Sequence, residues 1–224
     1  MLIVAATAAE IAPLLVALQP CSNSEGRLRS CTRGNHEIDV LTTGVGMVAT
    51  AAWSSRVLAM REYDVALNLG VCGSFDREIP AGNVVHVISE ELPEMGAEAG
   101  DEFLTLLDLK LLERDEFPFQ DGRLINQEPP SIATLQQLPR VRGITVNTVH
   151  GRDSSIAEVQ RRCAPQVETM EGAAFMYCCL IRRTPFAEIR AVSNVVETRN
   201  RAAWKLGEAI DSLNGTALRI IDQA

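Results

Sequence analysis

Aromatic residues are scarce, at 4% of the chain, which leaves little material for the stacking platforms that hold single-stranded nucleic acid. Basic residues never run together. The 21 Lys and Arg stand against 29 Asp and Glu, for a net charge of −8. A duplex-binding surface wants a basic face, so nucleic acid is not an expected partner. No C-x-x-C occurs among Cys21, Cys31, Cys72, Cys163, Cys178 and Cys179. That excludes the usual zinc spacings and reads as reduced, partly buried thiols of a cytosolic protein, with no metal. No uninterrupted apolar run approaches the roughly 20 residues that span a bilayer. Met1–Ala6 also lacks the basic start and long apolar core of a signal peptide. The expectation is a soluble cytoplasmic protein with no membrane partner.

What the chain does have is apolar material. With 46% hydrophobic residues in 224, it can bury a sizeable core. No repeat, low-complexity tract or linker divides it, so one domain over residues 1–224 is expected. Leu2–Ala6 reads as a buried first strand. Thr7 and Glu10 then form a T-x-x-E capping pattern ahead of an apolar helix from Ile11 to Leu18. A polar, punctuated stretch from Pro20 to Gly34 reads as a loop or hairpin, and His36–Thr43 as a second strand region. Gly44-Val45-Gly46 leads into an Ala-rich helix, and V-A-L-N at 65–68 is a strand running to a glycine bend at Gly70–Gly73. Val84–Ser89 follows as a strand.

Residues 90–128 are acidic and broken by Gly and Pro, which reads as a solvated surface excursion or lid. Beyond it come a short helix after Pro129-Pro130-Ser131 and a β-branched strand at 143–149. A helix from Ile156 to Cys163, capped by Ser154-Ser155, comes next, and an amphipathic helix closes the chain within 199–224. The pattern is an α/β fold: a three-layer α/β/α arrangement with a central mixed, mainly parallel sheet.

Chemistry is expected at strand ends, because ligands of open α/β sheets bind beyond the carboxyl ends of the strands. Met170 and Glu171 open the apolar helix that starts at Gly172, where free backbone N–H groups favour a carboxylate. Ser193 and Asn194 end the strand Ile189–Val192. Glu10 follows the first strand. Each also has a local explanation: Glu10 as a cap, Glu171 as a first-turn carboxylate and Asn194 as a turn residue. The G-V-G turn at 44–46 is more readily a tight strand–helix packing turn than a nucleotide cradle.

Five strand-end motifs, A-T-A-A-E, T-T-G-V-G, N-L-G-V-C-G, T-M-E-G-A-A and R-A-V-S-N, occur in one order along nearly the whole chain. In that order the chain resembles the nucleoside phosphorylase/nucleosidase family, in the branch of methylthioadenosine/S-adenosylhomocysteine nucleosidases and futalosine hydrolases. The acidic stretch from Glu90 to Leu107 is most similar to the futalosine hydrolases. The resemblance implies a nucleosidase that needs no cofactor, acts on a small nucleoside and assembles as a homo-oligomer, a dimer or larger. It assigns Glu10 as the general base for water, Glu171 to the ribose hydroxyls and Met170 to the floor beneath the sugar. Asn194 falls at the leaving purine and Arg190 near the nucleophile and its base. Gly70, Val71, Cys72 and Ser193 fall among the substrate-contacting positions.

Two departures stand out. Val71 occupies a position often held by Ser in nucleosidases. Position 194 is Asn where adenine-cleaving relatives carry Asp. An amide cannot protonate purine N7, but it can donate to a carbonyl and accept from N7–H, which suits a 6-oxopurine such as the hypoxanthine of futalosine. The competing readings are a methylthioadenosine/S-adenosylhomocysteine nucleosidase, a purine nucleoside phosphorylase, a non-catalytic nucleoside-binding protein and, on G-V-G alone, a dinucleotide-dependent oxidoreductase.

Overall fold

The computed structural model describes residues 1–224, with the side chains of residues 21–25, and so that of Cys21, outside the description. In chain order the strands are β1 (Leu2–Ala5), β2 (Gln19–Glu25), β3 (Leu28–Arg33), β4 (His36–Thr42), β5 (Ala66–Ser74) and β6 (Val84–Glu91). They continue with β7 (Gly96–Ala99), β8 (Glu102–Thr105), β9 (Leu124–Ile125), β10 (Arg140–Thr145), β11 (Val167–Thr169) and β12 (Phe186–Val195). The helices are α1 (Ala12–Ala17), α2 (Met47–Met60), α3 (Ala133–Gln137), α4 (Asp153–Cys163), α5 (Gly172–Arg182) and α6 (Leu206–Ile221), with a 3₁₀ turn at Arg201–Ala203.

The large sheet has the order β11-β10-β6-β12-β5-β1-β4-β3-β2. Parallel pairing joins β4, β1, β5 and β12 at its centre. β11 returns to pair antiparallel with β5, so β5, β12, β6, β10 and β11 close into a ring. That closure lays β11 antiparallel against the carboxyl end of β5, whose other neighbour there is the carboxyl end of β12.

The first strand shows why its sequence is apolar throughout. Leu2 and Val4 face a core shared with α2 and α5, while Ile3 and Ala5 face a second core shared with α1, α3 and α6. Strands covered on both faces lose the apolar/polar alternation and read as continuous apolar runs. Cys178 and Cys179 are buried within α5. No helix of the described residues is long and apolar enough to cross a membrane.

Several local expectations need correction. β5 does not bend at its glycines; it runs straight through Gly70 and Gly73 to Ser74. A Cβ at Gly70 would collide with the Arg190 guanidinium and approach Glu10 Oε1 to 3.1 Å, so glycine is required there by what packs over the strand. The strand expected at 143–149 lies earlier, at Arg140–Thr145, in register with β6. Ser154 and Ser155 do not cap α4, whose flanking residue is Arg152; Ser155 Oγ instead donates back to the Arg152 carbonyl. The 90–128 stretch is not all surface. It carries β7, β8 and β9, and Glu90, at 0% exposure, is buried beneath the sheet ring.

α6 is tied to the chain after β1 by one side chain. Asn214, nearly fully buried, donates from Nδ2 to the carbonyl of Glu10 at 2.8 Å, and its Oδ1 accepts from Leu14 N at 3.0 Å. Both main-chain groups lose their partner if the amide is removed, and unsatisfied buried polar groups are expensive. Asn214→Ala is expected to lower unfolding free energy by roughly 1–3 kcal/mol, read by urea denaturation. Asn214→Leu, which restores the volume without the bonds, is expected to do no better.

Candidate active site

A cavity of about 330 Å³ opens where β1, β5, β11 and β12 end. Glu10, Val71, Cys72, Met170, Glu171, Ser193 and Asn194 all line it. Gly70 and Arg190 do not; they lie behind its wall. Of the residues singled out from sequence, these two therefore act on the site from outside the cavity.

Glu10 serves two purposes at once. Its Oε2 accepts from Thr7 N at 3.0 Å and from Thr7 Oγ1 at 2.8 Å, while Glu10 N donates to Thr7 Oγ1 at 3.4 Å. This is the reciprocal capping pattern read from the sequence, although it closes the turn ahead of α1 rather than capping the helix itself. Oε1 points the other way and accepts from Val71 N at 3.2 Å. The carboxylate is thus held from both sides at the cavity wall.

Glu171 is the residue flanking the start of α5. Its Oε1 accepts from Gly46 N at 2.9 Å, across 125 residues of chain. Gly46 has φ +95°, a conformation that favours glycine. The G-V-G turn therefore supplies its amide to a carboxylate of the same chain. Burial pushes the Glu171 carboxyl up from its ordinary value, opposed by the Arg190 charge and the Gly46 bond. The first amides of α5 are satisfied from neighbouring strands: Gly172 N donates to Thr169 Oγ1 at 3.1 Å and Ala173 N to Thr145 Oγ1 at 2.7 Å.

Asn194 owes its aim to a register shift in β12 between Val192 and Asn194, opposite β5. Such a bulge re-aims the following side chain. Asn194 Oδ1 accepts from Ser193 Oγ at 2.8 Å and Nδ2 donates to the Val195 carbonyl at 2.9 Å. The amide is oriented, with one N–H and one oxygen lone pair left over. The Cys72 thiol, pushed up by burial, is a poor nucleophile, and its carbonyl accepts from Ser193 Oγ at 3.1 Å.

Behind the wall, Arg190 is 1% exposed. It donates from Nε to Glu188 Oε1 at 2.8 Å and from Nη2 to Asn68 Oδ1. Burial opposes its charge, but Glu188, Glu171 and Glu10 outweigh that and raise its pKa. Arg190 is not among the residues lining the cavity and stands behind it as the charge partner of Glu188, Glu171 and Glu10. Beside it, Glu188 and Glu90 are both fully buried and their carboxyls converge at Gly172, where any Cβ would strike them. Thr145 Oγ1 donates to Glu90 Oε2 at 2.9 Å. Glu188 Oε2 has no other protein donor. Burial first, and the Glu188 charge second, push Glu90 well above the ordinary carboxyl range. Burial raises Glu188 too, but the Arg190 charge and its hydrogen bond oppose that, so of the two carboxyls Glu90 is the one whose proton is favoured and Glu188 the one paired with Arg190.

The site also contains residues that sequence reasoning missed. His150, Glu168 and Trp204 line the same cavity. His150 Nδ1 lies 2.7 Å from Glu168 Oε2, and Arg199 and Arg201 stand over the Trp204 ring at 5.4 and 5.9 Å. His150 lies on a loop whose partner is eighteen residues away, and no spacing rule links them. Arg123 is tied to Glu91 at 2.7 Å and lines a different cavity.

The profile of the phosphorylase superfamily matches residues 1–223. The chain belongs to that superfamily. Among curated relatives, a futalosine hydrolase of Streptomyces coelicolor is 31% identical over 78% of this chain and 74% of its own. One from Thermus thermophilus is 29% identical over 81% and 80%. A 5′-methylthioadenosine/S-adenosylhomocysteine nucleosidase of Colwellia psychrerythraea is 25% identical over 71% and 67%. The fold of this superfamily member superposes on the futalosine hydrolase of Helicobacter pylori with a TM-score of 0.82, at 15% identity, covering 100% and 97% of the two chains.

The buried pair gives an asymmetric expectation. A carboxyl whose folded value is raised stabilises the fold at low pH and loses that contribution as pH climbs from the ordinary value of 4.5 through the raised one. Glu90→Gln, which mimics the protonated form, is expected to fold and to flatten that decline relative to the parent protein. Glu188→Gln strips Arg190 of its buried anion and is expected to lose roughly 3–5 kcal/mol. Denaturation midpoints from pH 4 to 9 check both; equal effects of the two substitutions would contradict the assignment of the proton to Glu90.

Proposed function

We propose that this protein is a cytoplasmic futalosine hydrolase, which cleaves the N-glycosidic bond of futalosine to release hypoxanthine and dehypoxanthine futalosine in the futalosine route of menaquinone biosynthesis. The kinship with futalosine hydrolases supports the substrate, and kinship with both nucleosidase groups supports the coarser reading of an N-glycosyl hydrolase. One observation carries the reaction type: the described cavity lining holds Glu10, Glu168 and Glu171 and no Lys or Arg.

An acidic cavity suits a sugar that becomes cationic in the transition state and disfavours a phosphate nucleophile. The amides that an anion would seek are taken, Gly46 N by Glu171 and Val71 N by Glu10. Arg27 comes near Gly44 but spends its Nη1 on the carbonyls of Thr42 and Thr43. Water is therefore the nucleophile in this reading.

Glu10, held by Thr7 and Val71 N–H, takes the proton of that water. Glu171 binds the ribose hydroxyls, and its charge favours the oxocarbenium-like sugar. Met170 covers the sugar's apolar face. Asn194, with Ser193 fixing its amide, donates to the departing purine as negative charge moves onto the ring. Its amide cannot act as an acid, and this weighs against an adenine leaving group and the methylthioadenosine reading. Trp204, flanked by Arg199 and Arg201, offers a stacking face and cations to the carboxyphenyl arm of futalosine. No cofactor enters the scheme. A homo-oligomer belongs to the same proposal: Val48 on α2 and Tyr177 and Ile181 on α5 are exposed apolar side chains on helices packed together, a face that a second copy would cover.

Chromatography of products from futalosine, inosine and methylthioadenosine, with and without phosphate, tests the reading. Hypoxanthine is expected from futalosine at a rate indifferent to phosphate; phosphate-dependent release would make the protein a phosphorylase. Glu10→Gln is expected to lower kcat by about 10²–10⁴ with little change in substrate binding. Asn194→Asp is expected to shift preference toward the 6-amino analogue, aminofutalosine.

A further inference from the structure

Gly73 is flanked on both sides by polar side chains at the same level of the sheet. Across β11 its register partner is Glu168, and across β12 it is Asn194. A Cβ at Gly73 would strike Val196 Cγ2 at 2.8 Å and would lie 3.4 Å from Glu168 Cγ and 3.5 Å from Asn194 Nδ2. The missing side chain lets Val196 pack against the strand, with the Asn194 amide on one side and the Glu168 carboxylate on the other.

Glu168 is 4% exposed and committed to one neighbour. It accepts from His150 N at 3.2 Å through Oε1 and faces His150 Nδ1 at 2.7 Å through Oε2. A carboxylate only accepts, so Nδ1 carries the proton. The ring is steadied edge-on against Phe75 at 6.1 Å. Its other nitrogen, Nε2, bonds to no described protein group, and in the neutral ring it is an acceptor.

We propose that the His150–Glu168 pair reads the six-position chemistry of the base: His150 Nε2 accepts the N1–H of a 6-oxopurine, and Glu168 acts through His150 by fixing its tautomer. This deepens the hydrolase reading above and rests on it for the identity of the site. A 6-oxopurine carries a hydrogen on N1, whereas a 6-aminopurine carries a lone pair there. An acceptor edge pairs with the first and opposes the second. Sites that pair with a donor reject analogues lacking it, because the acceptor is left unpaired. Asn194 alone does not make this distinction at N1, since N7 is an acceptor in both kinds of nucleoside.

The tautomer makes the idea testable. In Glu168→Gln the backbone N–H of His150 is a fixed donor and claims the amide oxygen. The NH2 then faces Nδ1, which must become the acceptor, and the proton moves to Nε2. The acceptor edge becomes a donor edge.

The experiment measures kcat/KM for futalosine and aminofutalosine, with thermal unfolding alongside, for the parent protein, Glu168→Gln and His150→Phe. Glu168→Gln is expected to move the ratio toward the 6-amino substrate by tenfold or more. His150→Phe, which keeps a ring against Phe75, is expected to shrink the ratio by a similar factor. Calorimetric binding of hypoxanthine, 1-methylhypoxanthine and adenine to the parent protein needs neither variant nor turnover; hypoxanthine is expected to bind at least tenfold tighter than the other two. Equal loss on both substrates, or equal binding of the three bases, overturns the proposal. If the parent protein cleaves neither nucleoside yet discriminates among the bases, the hydrolase reading fails and the base-reading pair stands.

Discussion

Arg190 is a cation set among carboxylates drawn from distant parts of the chain. Glu188 shares its strand, Glu171 opens α5, Glu10 follows β1, and Asn68 on β5 accepts from one of its two terminal nitrogens. An isolated buried charge of either sign is strongly disfavoured. Together the groups satisfy one another, and the ring of strands closes around them. The two carboxylates at the cavity wall keep their positions because a guanidinium lies just behind Gly70, where β5 has no side chain to intervene.

The arrangement separates charge balance from chemistry. Arg190 stays dry and is not among the residues lining the cavity, so the cavity itself remains acidic. Both oxygens of Glu10 are held, Oε2 by Thr7 and Oε1 by Val71 N, and one oxygen of Glu171 is held by Gly46 N. Preorganised groups of this kind stabilise developing charge without reorganising during the reaction. Burial and the Glu188 charge raise the Glu90 carboxyl, which favours a proton there and eases the contact of two carboxyls.

Backbone amides play an equally specific part. In a phosphate site, glycine-rich turns aim free N–H groups at an anion. Here the amides of Gly46 and Val71 are spent on carboxylates of the chain. The same sequence pattern thus serves to orient an acidic side chain.

The apolar runs and their breaks determined the α/β layering and put Glu10, Glu171 and Asn194 at element ends, because those features depend on neighbours within a few residues. The T-x-x-E pattern was local in the same way, and the Thr7–Glu10 bonds are there, though a turn earlier than the helix start. Distant pairings were decided only by the tertiary structure. Arg190 and Gly70 lie behind the cavity, Glu90 is dry rather than solvated, and His150 meets Glu168 beside Gly73. Nothing in the spacing of those residues encodes their contact. It arises because β11 turns back onto β5, and the ring closure that sets the register also decides which polar side chains share one wall.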